Sequence, residues 1–284
     1  MTARYPRLLG LLGLLALLAF VGCDAATDDT TDPVADPVTT AEAAASIANA
    51  VALDSGGALD EAASFATSFS AGIDGDDVTT ANASADNGCT FSLDFDEEAV
   101  RYDRAVDCTW ESQNGLYAAG YSRAQTLQFL RDGSPVFFPS NADAATFEIV
   151  SGSGTRTRPR FSHTLTDIGG DLTVTGLNTD VVTVNGSLTR AALDVSTTEA
   201  GTRSLDHRIE LTFTDVTGPT TSRQDWRDAA SGTISGRYQA TFTAIDGDTI
   251  AVDRTFTVTF GDDTLVIEIG GERFEANPMS GELM

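Results

Sequence analysis

The chain has 284 residues, 42 acidic and 17 basic, for a formal charge of −25. A surface of that sign repels phosphate backbones and anionic lipid, so nucleic-acid binding is not expected. All 17 basic residues are arginine. Without a lysine the chain cannot build a Gly-Lys-Ser/Thr phosphate loop, a Schiff-base centre or a Ser-x-x-Lys acyl enzyme.

Arg4 and Arg7 lead into an apolar run from Leu8 to Val21. Its helical length of about 21 Å is short of the roughly 30 Å hydrocarbon core, so it reads as the core of a signal peptide, not a membrane span. The run closes on Phe20-Val21-Gly22-Cys23. This resembles the bacterial lipobox, departing from it at Phe20, where the pattern favours leucine. The resemblance implies that residues 1–22 are removed, that Cys23 carries acyl chains, and that the membrane is a partner through this lipid anchor. Ordinary cleavage near Ala25 would instead release a secreted protein; Cys23 directly at the end of the run favours lipidation. Removing residues 1–22 takes away two arginines, leaving 15 against 42 acids and a charge near −27.

Residues 23–40 hold five aspartates and two prolines and read as a solvated tether. Asp28-Asp29 resembles the acidic signals that send some lipoproteins to the cell surface, whereas Asp24 resembles an inner-membrane retention signal. The outer membrane or surface is the favoured address, and both stay open. Aspartate outnumbers glutamate 30 to 12, a composition that resembles salt-adapted bacterial proteins. At molar salt the Debye length falls to about 3 Å, so stability is expected to rise with NaCl.

Residues 41–70 read as a helical segment. Thr39-x-x-Glu42 fits a capping box before AEAAASIANAVAL, Gly56-Gly57 ends that helix, and a second, about Leu59 to Phe69, aligns Leu59, Ala62, Phe65 and Phe69. The pair is expected to cover a sheet edge or end, a stalk or partner-binding segment being the alternative. Residues 71–88 are a polar loop.

From Cys89 to Met284 the period becomes two: Ile209, Leu211 and Phe213 alternate with polar neighbours, as do Tyr238, Ala240 and Phe242, then Phe256, Val258 and Phe260, then Leu265, Ile267 and Ile269. Asp132-Gly133 and Asp246-Gly247 are hairpin turns, and Asn185-Gly186 is a turn or a bulge. An antiparallel β sandwich or barrel of about ten strands follows. Scattered Phe and the absence of aromatic girdles argue against an outer-membrane barrel. Around a turn near Glu97-Glu98-Ala99 the register sets Phe95 against Tyr102, Phe91 against Val106 and Cys89 against Cys108. With Cys23 spent on lipid, Cys89 and Cys108 form a cross-strand disulfide closing a 20-residue loop.

No catalytic motif is found. The only two histidines, His163 and His207, lie on expected strands, His207 half-buried and His163 on a wet face. Ser162 or Ser204 could be imagined with either, but Gly-x-Ser-x-Gly and His-Glu-x-x-His are absent. Trp110, Tyr117 and Tyr121 are read as core packing near the disulfide hairpin. The acidic turns Asp74-Gly75-Asp76-Asp77, Asp246-Gly247-Asp248 and Gly261-Asp262-Asp263 could donate to calcium but are read as turns, so no cofactor is expected. Arg156, Arg158 and Arg160 form the one basic cluster, on one strand face, able to pair with acidic neighbours or to grip an anion bidentately. The leading functional expectation is a non-enzymatic, lipid-anchored envelope protein with a binding or structural β domain. Two others are a carrier of apolar molecules, like lipoprotein-localisation or lipocalin-type cups, and an exported hydrolase.

Overall fold

The computed structural model describes residues 39–53, 57–68, 89–112, 115–222, 225–261 and 263–284. The signal segment, Cys23, the tether up to residue 38, the polar loop 71–88 and the acidic turn at Asp74 lie outside the described residues.

Helix α1 (Thr40–Val51) opens with the expected capping box: the Thr39 hydroxyl accepts from the Glu42 amide, and the Glu42 carboxylate accepts from the Thr39 amide. Helix α2 spans Ala58–Ser68. Strands β1 (Cys89–Asp96), β2 (Arg101–Glu111), β3 (Ala118–Arg131), β4 (Ser134–Val136), β5 (Ala144–Arg158) and β6 (Phe161–Thr175) follow. Then come β7 (Val181–Thr198), β8 (Gly201–Pro219), a one-turn helix α3 (Trp226–Ala229), β9 (Ser231–Thr243), β10 (Thr249–Gly261), β11 (Thr264–Ile269) and β12 (Glu272–Ala276).

The strands form one antiparallel meander in the order β1-β2-β3-β5-β6-β7-β8-β9-β10-β11-β12, with β4 beside β3. The mainly antiparallel β class matches the sequence reading. The sheet is not closed: β1 and β12 are its ends, and the second layer is the helical pair. Residues from β2 (Tyr102) to β12 (Ala276) share one core cluster with both helices. Strands β7 and β8 near the middle of the sheet and β11 and β12 at its end both pack on this one short helical pair, so the sheet curls toward it.

The helices therefore sit on the concave face, α1 against the last strands of the sheet and α2 nearer its middle. Helix α1 packs on β11 and β12, and α2 on β7 and β8. Ala43, Ala44, Ile47 and Val51 of α1 have no solvent exposure. The physical reason is composition: alanines on several sides of α1 let strands and the C-terminal segment close on it together. The Leu53 amide, just past α1, donates to Pro278 O at 2.9 Å. The convex face is polar, with Arg208, Glu210, Thr212 and Thr214 of β8 all exposed.

The disulfide forms at the expected register, Cys89 opposite Cys108 and Phe95 opposite Tyr102. Asp132 and Gly133 take φ of 49° and 75°, the pair of positive values a type I′ hairpin needs. Asp246-Gly247 turns β9 into β10, and Asp263 lies in the β10–β11 turn. Asn185-Gly186 is a bulge inside β7, not a turn: the β7–β8 register shifts between Val184 and Gly186, and Gly186 has φ 134°. Two further bulges decide what faces the helices. The β3–β5 register shifts near Val150, and the β6–β7 register shifts between Leu165 and Asp167. Each inserts one residue, so the buried parity of β5 moves from Ala145, Phe147 and Ile149 to Gly152, Gly154 and Arg156, and that of β6 runs His163, Leu165, then Ile168.

Candidate functional site

Between the helices and β3 to β9 lies a cavity of about 540 Å³, within the range of small-molecule sites. Small side chains hollow it: Ala119, Gly120, Gly154 and Ala192 on the sheet, Ala45, Ser46 and Ala50 on α1. Its walls carry Arg123, Arg156, Arg190 and Arg203, both histidines of the chain, and only three carboxylates, Glu42, Asp60 and Asp194. In a chain of charge −25 this is a local reversal of sign.

The geometry follows from two rows of residues running across the strands. In one, Arg156 on β5 stands opposite His163 on β6, which stands opposite Asp194 on β7, then Leu205 on β8 and Phe242 on β9. In the next, Gly154, Leu165, Ala192, His207 and Ala240 follow in the same strand order. His207 is thus the diagonal neighbour of Asp194.

Asp194 receives both rings. His163 Nδ1 lies 2.6 Å from Oδ1, and His207 Nε2 lies 3.2 Å from Oδ2. An ionised carboxylate only accepts, so these two nitrogens carry the protons. Burial favours the neutral acid, but the hydrogen bonds and charge of the two rings outweigh it and hold Asp194 well below the usual carboxylate range. The His207 ring stacks at 6.0 Å on fully buried Tyr238.

Three arginines are tied down within the protein. Arg123 Nε donates to Glu61 Oε1 at 3.0 Å, and Gln125 Nε2 donates to the other oxygen at 3.0 Å. Its guanidinium also reaches Ser153 O across glycine at 152, where a Cβ would stand 2.6 Å from Arg123 Cδ. Arg190 Nη1 donates to Ala50 O at 3.1 Å, placing a cation on the last turn of α1. Burial and neighbouring Arg123 push Arg190 down to about 10, so it stays charged at neutral pH. Arg203 pairs with Glu42 at 2.8 Å.

Arg156 differs. Its Nε is buried without a hydrogen-bond partner among the described residues, and its cross-strand neighbourhood offers Asp194, whose two oxygens already serve the histidines. Burial and Arg158 push its guanidinium down. His207 Nδ1 is likewise buried and without a partner.

The arginine cluster expected from sequence is therefore divided. Arg156 enters the cavity wall. Arg158 is exposed, over the Tyr117 ring at 6.0 Å and on the same parity of β5 as Arg156, whereas Arg160 occupies the β5–β6 turn after Pro159 with φ 65° and leaves that face. His163, expected on a wet face, is on the concave face because the β6 bulge reverses the parity set by Ile168, Leu172 and Val174. Ser204 lines the cavity, yet among the described residues neither ring is hydrogen-bonded to a serine hydroxyl. Tyr117 and Tyr121 line the cavity too.

Sequence reasoning passed over Arg123, Arg190 and Asp194. A signal was present: Arg123 and Gln125 share the parity of Leu127 and Phe129, and Arg190 falls between Leu188 and Ala192. A charged residue on the apolar parity of a strand marks a polar interior. The chain matches no protein-family model, no curated protein and no solved structure.

Proposed function

We propose that this chain is a lipid-anchored envelope protein, held through Cys23, whose β domain captures a small anion bearing an apolar portion and does no chemistry on it. The observation that carries the reading is Arg156, a partly buried guanidinium whose Nε has no partner, on the wall of a 540 Å³ cavity. A buried N–H left without an acceptor is costly, and a carboxylate, sulfonate or phosphate in the cavity would offset that cost. Phe161, Leu165, Leu205, Ile209 and Phe242 supply apolar wall beside it. A carrier of wholly apolar cargo fits less well, since hydrocarbon would have to lie against four arginines.

Anilinonaphthalene sulfonate, a fluorescent apolar anion, tests the reading with the full-length chain in detergent. It is expected to bind saturably. Arg156→Ala should weaken it on the order of 10- to 100-fold, the worth of one charge-assisted hydrogen bond pair. Arg160→Ala in the exposed turn should leave it unchanged. Equal affinity in wild type and Arg156→Ala would overturn the cavity reading. Loss of membrane association and of acyl labelling in Cys23→Ala checks the anchor separately.

A further inference from the structure

His163, Asp194 and His207 do more than line the cavity: we propose that they bind a divalent first-row transition metal, with an open coordination position facing the cavity. Three observations carry this. The only two histidines of the chain, on β6 and β8, converge on one carboxylate of the strand between them. One nitrogen of each ring and a carboxylate oxygen lie within 4.8 Å of one another. Two donors at about 2.0–2.2 Å from a tetrahedral ion stand about 3.3 Å apart, and the ring–carboxylate separations here are 2.6 and 3.2 Å. Small adjustments of the two rings and the carboxylate would set the three donors around an ion.

The strands supply rigidity, since all three residues are held in adjacent hydrogen-bonded ladders and need no loop to close. The donor set of two imidazoles and one carboxylate suits zinc, iron or copper over calcium, which takes oxygen. Each ring binds the ion through the nitrogen now facing Asp194 and carries its proton on the other nitrogen. For His207 that is Nδ1, which then becomes a donor without a protein acceptor. One carboxylate leaves a dication with residual positive charge beside Arg156, the cross-strand neighbour of His163. An anionic oxygen in the fourth position offsets both, so metal and cavity anion should strengthen each other's binding. This coupling rests on the cavity reading above; the metal site itself does not.

The test uses the full-length chain stripped by chelator and titrated calorimetrically with Zn²⁺ alone. One ion per chain is expected, and nearly isosteric Asp194→Asn, His163→Ala and His207→Ala should each weaken it on the order of 100-fold. Arg160→Ala, in the exposed β5–β6 turn, should keep metal binding. Co²⁺ gives a measurement that needs no variant: visible ligand-field bands of a four-coordinate nitrogen and oxygen site, shifting when inorganic phosphate is added. No Zn²⁺ binding and no Co²⁺ bands in folded wild type overturn the metal site, as does Zn²⁺ affinity unchanged in His207→Ala. Zn²⁺ binding without anilinonaphthalene sulfonate binding leaves the metal site standing and removes the cavity ligand. The converse, sulfonate binding with no metal, leaves two histidines that serve only to position Asp194.

Discussion

The two halves of the concave face are built on opposite principles. Around α1, which packs on β11 and β12, strands β10 to β12 present Phe256, Val258, Leu265, Ile267, Ile269 and Ala276, an apolar surface with almost no exposure, interrupted on β10 by half-buried Arg254. Under α2 and the cavity, β3 to β8 present Arg123, Gln125, Arg190 and His207, which with Glu61 make up the buried polar and charged residues of the described chain. The first half holds the fold by removing hydrocarbon from water. The second spends stability on charges that must each be satisfied, and together with α1 and Phe242 of β9 it encloses the cavity. Buried polarity concentrated in one place, beside an Arg156 Nε that has no hydrogen-bond partner among the described residues, is the mark of a site and not of a core.

The largest expected effect that breaks this contrast is at α2. Glu61→Ala leaves Arg123 and Gln125 buried without their acceptor and should destabilise by on the order of 3–5 kcal/mol, seen in urea unfolding. Combining Glu61→Leu with Arg123→Met and Gln125→Leu should recover most of that loss, because no buried charge remains unpaired. If the triple variant is no more stable than Glu61→Ala, the polar half is not a cost to the fold and the contrast fails.

Ile267→Ala probes the apolar half, where the side chain is fully buried. A loss of about 2–4 kcal/mol is expected from the cavity it leaves. The affinity for anilinonaphthalene sulfonate, measured on the folded fraction, should not change. A change in affinity would show that the halves are coupled.

Tyr238 stands at the border, stacked on His207 and fully buried. Burial pushes its phenol up to about 12. The folded state therefore holds the proton more tightly than the unfolded chain, whose tyrosine titrates near 10. Its contribution is fully present below pH 10 and is lost as the pH rises through 12, on the order of 2–3 kcal/mol. Tyr238→Phe should flatten unfolding stability between pH 10 and 12; an unchanged slope would refute the assignment.

The smallest effect is at the rim of the apolar half. Thr39→Ala removes one side of the α1 capping box and should cost about 1 kcal/mol, read as a small fall in melting temperature with ligand binding intact. Removal of the Glu42 carboxylate, which also holds Arg203 at the cavity mouth, should reach both properties.

Much of the apolar half was legible in the sequence. Leu265, Ile267 and Ile269 alternate without interruption along β11, and β10 carries the same alternation from Phe256 to Phe260. The capping box and the Cys89–Cys108 register were equally readable, because both depend on residues close in the chain. The site was less so. Arg156 stands out in the sequence beside Arg158, on the same parity of β5, and Arg160, which the turn at Pro159 carries off the strand, while the alternation places His163 on the other face. In β5 and β6 the parity that a sequence shows in one half of a strand does not hold in the other, since a single inserted residue reverses it.

The sequence by itself determined the local facts: an arginine-only acidic chain, a capped helical pair, antiparallel strands and a hairpin closed by a disulfide. Each follows from spacing of two to four residues, or from one turn. Tertiary structure decided that the helices fill the concave face, and that β6, β7 and β8 bring His163, Asp194 and His207 together. Those residues are 31 and 13 positions apart in the chain. Only bulge placement and cross-strand register, which depend on every strand at once, fix whether such residues meet.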